Sequence, residues 1–282
     1  MKGKEKNMSK KLILITDLAG YGKVSMSAQM PILSKMGFDL YNLPTALVSN
    51  TLDYGKFEIL TTTDYMEKAF EVWRELDFRF DAAAIGFLGD TKQIPIIGEF
   101  LSHNREKNPN FIASLDPIMA DNGNLYNGIS ESTIEGMREL CKLSDYITPN
   151  WTEACLIAGE KYSERTSKEK ASEVASKLKD RFGTDVIITG VPLDENNTIA
   201  VLSKSGIEWV DYSEVGGFMT GTGDIFSAIA MGNVLLGNSL KASAKKAAEI
   251  IRMLLELSIG HRDKFLGIQI EQYIHKIDFS AN

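Results

Sequence analysis

Apolar runs of strand length alternate along this chain with segments of helical period, and this alternation restricts the fold more than any other feature. The runs cover residues 12–16, 40–48 with a break at Pro44, 82–87, 111–115, 146–148 and 186–189. Between the first two, residues 25–36 carry Met26, Met30, Leu33 and Met36 at spacings near three and four, the period of one helix face. Residues 64–76, 94–104, 131–143, 168–181, 223–236 and 240–259 also read as helices, and 198–202 with 207–212 as a hairpin about Ser205-Gly206. Strands alternating with helices predict an α/β fold, a three-layer α-β-α domain with a mainly parallel central sheet. No Pro/Gly/Ser-rich linker or repeat divides the 282 residues, so residues 11–282 are expected to form one domain behind a disordered leader, 1–10.

Charge and cysteine content narrow the function. Lys and Arg number 31 against 38 Asp and Glu, a formal net charge of −7, which argues against nucleic-acid and anionic-membrane partners. No uncharged apolar run approaches the roughly 18 residues of a membrane span. Two cysteines and three scattered histidines exclude a disulfide scaffold and a four-cysteine zinc site. The apolar stretch after the basic N-terminus stops at Asp17, too short for a signal peptide, so a cytoplasmic protein is expected.

In such a sheet, ligands bind outside the carboxyl ends of the strands. Asp17, Ser49-Asn50, Gly86–Asp90, Asp116, Pro149-Asn150 and Thr189-Gly190 each follow a predicted strand. Late in the chain, Gly216-Gly217-Phe218-Met219-Thr220-Gly221-Thr222-Gly223-Asp224 runs directly into a helix. Glycines permit close backbone approach, and a helix start offers free N–H groups and a positive dipole end, the parts of an anion hole. Asp224 stands where a carboxylate could take the proton of an alcohol; an ordinary cap and a plain turn account for the same residues. The run is neither a P-loop, since no Lys-Ser or Lys-Thr follows, nor the dinucleotide fingerprint. Asp116, Asp121, Asn150 and Glu153 are hard oxygen donors suited to Mg²⁺, while Asn150 and Glu153 also have capping-box spacing.

Gly221-Thr222-Gly223-Asp224-Ile225-Phe226-Ser227-Ala228 resembles the late signature of the ribokinase-like superfamily. Residues 116–123 (DPIMADNG), 148–154 (TPNWTEA) and Gly86-Phe87-Leu88-Gly89 resemble further motifs of that family, in its order. Residues 17–25 (DLAGYGKVS), Pro31-Ile32-Leu33, Leu43-Pro44-Thr45 and Ser49-Asn50 resemble the pyridoxal/pyridoxamine kinase branch. The resemblance spans most of the chain. It implies ATP-dependent phosphorylation of the 5′-hydroxymethyl of a vitamin B6 vitamer. By the same likeness Asp224 would be the base and Gly221, Thr222 and Gly223 the anion hole. Asp17, Asn50, Asp53, Tyr54 and Phe87 would lie on the acceptor side. Asp116, Asn150, Thr189 and Thr222 would lie near ATP, with Glu153 and Asp121 toward Mg²⁺. Many members also use K⁺, which nothing in this sequence shows, and many are homodimers. Where the branch has Ser-Asn-His-Thr-Gly, this chain has Ser49-Asn50-Thr51-Leu52-Asp53, which puts the acceptor contacts of that loop in question. A hydroxymethylpyrimidine kinase and a non-catalytic nucleotide-binding protein on the same fold are the alternatives.

Overall fold

Strand β1 (Lys11–Tyr21) is apolar on both sides, with Leu12 and Leu14 facing one core and Ile13 and Ile15 the other. A strand buried on both faces belongs at the centre of a parallel sheet. The computed structural model describes residues 9–279 other than Gly128, Glu195, Glu214, Gly217 and Phe218. The expected leader therefore lies almost wholly outside the described residues, as do two positions of the glycine run.

After β1 come α1 (Ser25–Lys35), β2 (Asp39–Asn50), β3 (Ile59–Thr61), α2 (Thr63–Glu75), β4 (Ala82–Ile85), α3 (Gln93–Lys107) and β5 (Ile112–Leu115). The hairpin β6 (Ala120–Asp121) and β7 (Asn124–Leu125) precedes α4 (Glu131–Lys142), β8 (Tyr146–Ile147), α5 (Trp151–Ala158) and α6 (Lys168–Phe182). The chain continues through β9 (Asp185–Pro192), β10 (Asn197–Ser203), β11 (Gly206–Asp211), α7 (Thr222–Leu235), α8 (Leu240–Leu257) and the short α9 (Ile270–Tyr273). The main sheet has the order β11-β10-β9-β8-β5-β4-β1-β2-β3. Pairing is parallel from β2 through β9 and antiparallel where β3, β10 and β11 join. One core packs α2 to α6 on one face, and the other packs α1, α7, α8 and α9 on the opposite face. This is the expected three-layer architecture. Met26 is buried in the second core, and Met30 and Met36 pack against it, as their spacing predicts.

Three differences from the sequence reading bear on the site. The first strand does not stop at Thr16 but continues to Tyr21, and its register with β2 shifts between Thr16 and Leu18. The extra residue lies on β2, where Thr45 and Ala46 stand opposite Asp17, so Asp17 sits inside the strand across from a bulge, and bulges re-aim side chains beside active sites. The second strand is not broken at Pro44, which pairs with Thr16 while β3 pairs only with Ala46, Leu47 and Val48. With no second neighbour there, the missing N–H costs no ladder bond. Helix α5 was foreseen only as a start at Asn150, because its run Trp151–Ala158 is buried almost all round and shows no amphipathic period.

The chain leaves β1 to build β2 and β3 on one side and returns as β4 on the other. The order reverses at β1, so a crevice opens above the carboxyl ends of β1 and β4.

Candidate active site

Asp224 sits at the third position of α7, behind the N-cap Gly221, and not at the cap itself. Gly221 has φ +85°, and a β-carbon there would collide with the Lys23 carbonyl oxygen. Glycine is required at this turn for both reasons. Thr222, Gly223 and Asp224 form the first turn, whose N–H groups have no acceptor within the helix. The Asp224 carboxylate is buried, and its Oδ1 has no hydrogen-bond partner. Burial chiefly, then the charges of Asp116 and Asp17, push its carboxyl well above the usual range, while the Ser25 backbone N–H opposes the shift. An unpartnered buried carboxylate oxygen costs stability unless something occupies it.

Asp17 reaches the same crevice from β1, opposite the bulge in β2. Burial raises its carboxyl to about 6 against hydrogen bonds from the Ser25 and Thr16 hydroxyls. Ser25 thus faces both carboxylates, its hydroxyl toward Asp17 and its N–H toward Asp224. It holds a φ of +48°, in the left-handed region that few non-glycine residues adopt. Sequence reading gave Ser25 no role, since this backbone angle has no signature in the residue type. Thr16 Oγ1 accepts the Phe87 N–H at 3.1 Å, and a β-carbon on Gly86 would stand 2.6 Å from it.

Further along the sheet edge, Asp116 Oδ2 accepts the Ser227 hydroxyl at 2.6 Å, and Ser227 is 3.1 Å from Thr148 Oγ1. Burial and the neighbouring Glu153 charge raise the Asp116 carboxyl. Asn150 caps α5 through Glu153, and Glu153 answers through the Asn150 N–H, a complete capping box. Glu153 Oε1 also accepts the Met119 and Ala120 N–H groups, at 3.0 and 3.4 Å. Burial pushes this carboxyl to about 8 against those three donors. Thr189 bridges Asn150 in parallel, so the two lie side by side. Asp121, half-buried in the β6–β7 turn, accepts from Asn122 N at 2.8 Å and Nδ2 at 3.0 Å. Tyr126 was missed by sequence reading. Burial first, then the charges of Glu153, Asp121, Asp116 and Asp224, push its hydroxyl far up.

The acceptor-side residues divide. Phe87 is buried in a small cluster with Ala46 and Val48. Asn50 Nδ2 donates to the Thr51 and Lys56 carbonyls and closes its own loop. Asp53 and Tyr54 are exposed in the following turn and bond to Thr220 and Asp263.

Among the described residues, no group of three or more His, Cys, Asp or Glu side chains could hold a metal by itself. Glu153 Oε1 is filled by two N–H donors, while Oε2 takes one and keeps a lone pair. This donor set suits Mg²⁺, which binds through one or two carboxylates and completes its shell with waters and substrate phosphates. A line of carboxylates beneath a helix N-terminus without a side-chain cap, at the reversal point of a parallel sheet, is suited to holding a phosphoryl group beside an acidic side chain.

The sequence profile of the phosphomethylpyrimidine kinase family matches residues 31–266, and the chain belongs to that family. A protein of Bacteroides thetaiotaomicron assigned as a phosphomethylpyrimidine kinase shares 33% identity over 99% of this chain and 98% of its own, with a TM-score of 0.91. A second crystal form of it, with pyridoxal, matches at 32% identity and TM-score 0.90, over 95% of this chain and 96% of that one. The pyridoxine/pyridoxal/pyridoxamine kinase of Bordetella avium is 26% identical over 82% of this chain and 79% of its own length.

Proposed function

We propose that this protein transfers the γ-phosphoryl group of ATP to the 5′-hydroxymethyl of a vitamin B6 vitamer, with Asp224 as base. The unpartnered Asp224 oxygen at the start of α7 carries the reading. An acceptor hydroxyl would donate to that oxygen, and the first-turn amides of Thr222, Gly223 and Asp224 would receive the phosphoryl oxygens. An aspartate is a weak base for an alcohol. The loose transition state of phosphoryl transfer demands mainly positioning and charge stabilisation, which the helix start supplies. Asp17, near neutrality in its proton affinity, would pair with the ring nitrogen, phenolic oxygen or amine of the vitamer. Phe87, Asn50, Asp53 and Tyr54 would shape the acceptor side. Asp116, Asn150, Thr189 and Thr222 would lie toward ATP.

Mg²⁺ would be held by Glu153, through water, with Asp116 and Asp121 nearby, and would supply charge neutralisation on the phosphates. K⁺ is carried only by the family likeness. Among the described residues no helix is long and apolar enough to cross a membrane, and an enzyme of ATP and a vitamin is assigned here to the cytoplasm.

Two observations separate the vitamer from a pyrimidine. The matching profile and the Bacteroides protein carry the pyrimidine name, but the second crystal form holds pyridoxal and the Bordetella relative is a B6 kinase. ADP release with Mg–ATP and, separately, pyridoxal, pyridoxamine, pyridoxine and hydroxymethylpyrimidine tests this. Turnover is expected on at least one B6 vitamer at a higher kcat/KM than on the pyrimidine. Turnover on the pyrimidine alone would move the protein to that activity, and silence on all four would leave a non-catalytic nucleotide binder.

A homodimer belongs to the same proposal. Leu18, Leu47 and Leu60 lie opposite one another on β1, β2 and β3 and are exposed, a row that a second copy would cover. Light scattering should give twice the chain mass; a monomer at micromolar concentration would refute it.

A further inference from the structure

The turn after β2 is fastened to two segments far away in sequence. Thr51 Oγ1 donates to the Phe265 carbonyl at 2.8 Å, and Tyr54 Oη donates to Asp263 Oδ2 at 2.5 Å. The Tyr54 ring meets Phe265 edge-on at 5.5 Å between centroids. Asp53 Oδ2 accepts the Thr220 hydroxyl at 2.9 Å. Thr220 is tied a second time, its N–H donating to the Lys264 carbonyl at 3.2 Å. Leu266, two residues on, accepts the Lys23 N–H at 2.8 Å, and the Lys23 carbonyl is the atom that leaves Gly221 no room for a side chain. Residues 51–54, 263–266 and 220 therefore form a closed triangle, and its corner at Thr220 adjoins the N-cap of α7.

This triangle bears on the reaction through geometry. The first-turn amides of α7 point where Gly221 directs them, and Gly221 follows Thr220. A donor displaced by about 1 Å can cost on the order of 100-fold in rate. The turn itself leaves β2 beside β1: Tyr21 pairs with Asn50, and the Thr51 N–H donates to the Tyr21 carbonyl. It thus borders the acceptor crevice at one end and the phosphoryl-binding helix start at the other.

We infer that Asp53 is a positioning residue, a latch that sets the α7 anion hole through Thr220 and links it to the acceptor-side turn. The inference rests on the kinase reading above, and its test has an arm that does not. In Asp53→Ala the hydroxyl of Thr220 loses its acceptor. Turnover is expected to fall about tenfold, with a smaller change in the acceptor KM. Asp53→Asn keeps an oxygen acceptor and is expected to recover most of the rate, separating the hydrogen bond from the charge. Thr220→Val should reproduce the loss, and Asp53→Ala with Thr220→Val should be no worse than either alone.

Hydrogen exchange read by mass spectrometry supplies the independent arm. Amides of residues 220–224 should exchange faster in Asp53→Ala and at the parent rate in Asp53→Asn, with or without substrate. Additive losses in the double variant, or unchanged exchange at 220–224 in Asp53→Ala, would overturn the latch. Failure of the parent protein to turn over any of the four acceptors would overturn the kinase reading instead, and the exchange result would still decide the latch.

Discussion

Asp224→Ala is expected to keep the fold and lose turnover by about 10³-fold, the scale of a general base removed from its site. The fold depends little on that carboxylate: one oxygen is unpartnered, α7 starts at the Gly221 cap without it, and its bond from the Ser25 N–H is the contact the alanine variant gives up. Stability should move the other way. The carboxyl is raised in the folded protein, so the folded state holds its proton above the pH at which the unfolded chain releases it. Its contribution to stability is complete below about pH 4, the unfolded value, and is lost as pH rises through the raised value. Asp224→Asn has no such loss. Its unfolding midpoint should match the parent near pH 4 and exceed it at pH 8, by about 1–2 kcal/mol in stability. For the parent, kcat/KM should rise with pH above the ordinary carboxylate range, because the base must be ionised. Calorimetry across pH with steady-state kinetics checks all three outcomes. A variant that retains turnover would remove Asp224 from the chemistry.

Glu153→Gln should damage both structure and nucleotide use. The carboxylate serves N–H donors on two sides, Met119 and Ala120 through Oε1 and Asn150 through Oε2. An amide has one oxygen, so one side must face an NH₂ group across a buried gap. An unsatisfied buried donor costs about 1–3 kcal/mol, and a loss of about 2–3 kcal/mol is expected by denaturant unfolding. The capping box also pins the β6–β7 hairpin, since Asn150 Nδ2 donates to the Ala120 carbonyl at 2.7 Å. KM for Mg–ATP should rise about tenfold at a temperature where the variant is folded, the scale of one charge-assisted hydrogen bond. A stability loss with KM unchanged would make Glu153 a scaffold residue only.

Glu153 shows how a capping reading and a metal reading can hold together. The spacing Asn150-x-x-Glu153 predicts a capping box, and the structure contains one. What spacing could not show is that two further N–H donors arrive from residues 119 and 120. Those contacts span more than thirty positions and exist only because the chain between β5 and α4 folds back over the start of α5.

Local pattern determined the three-layer fold, because strand-length apolar runs and helical periods are short-range properties that burial then rewards. Local pattern also marked the glycine-led helix start, since close backbone approach and positive φ leave few residues other than glycine. It failed where burial is uniform, as in α5, and where a strand runs past a bulge in its neighbour, as at Asp17. Tertiary structure alone decided which carboxylates share a crevice and that Ser25 stands between Asp17 and Asp224. It also decided that Asp53 meets Thr220 across 167 positions. The physical reason is range: periodicity and capping act within a turn or two of chain, whereas desolvation and charge coupling depend on which distant segments the sheet order brings to one edge.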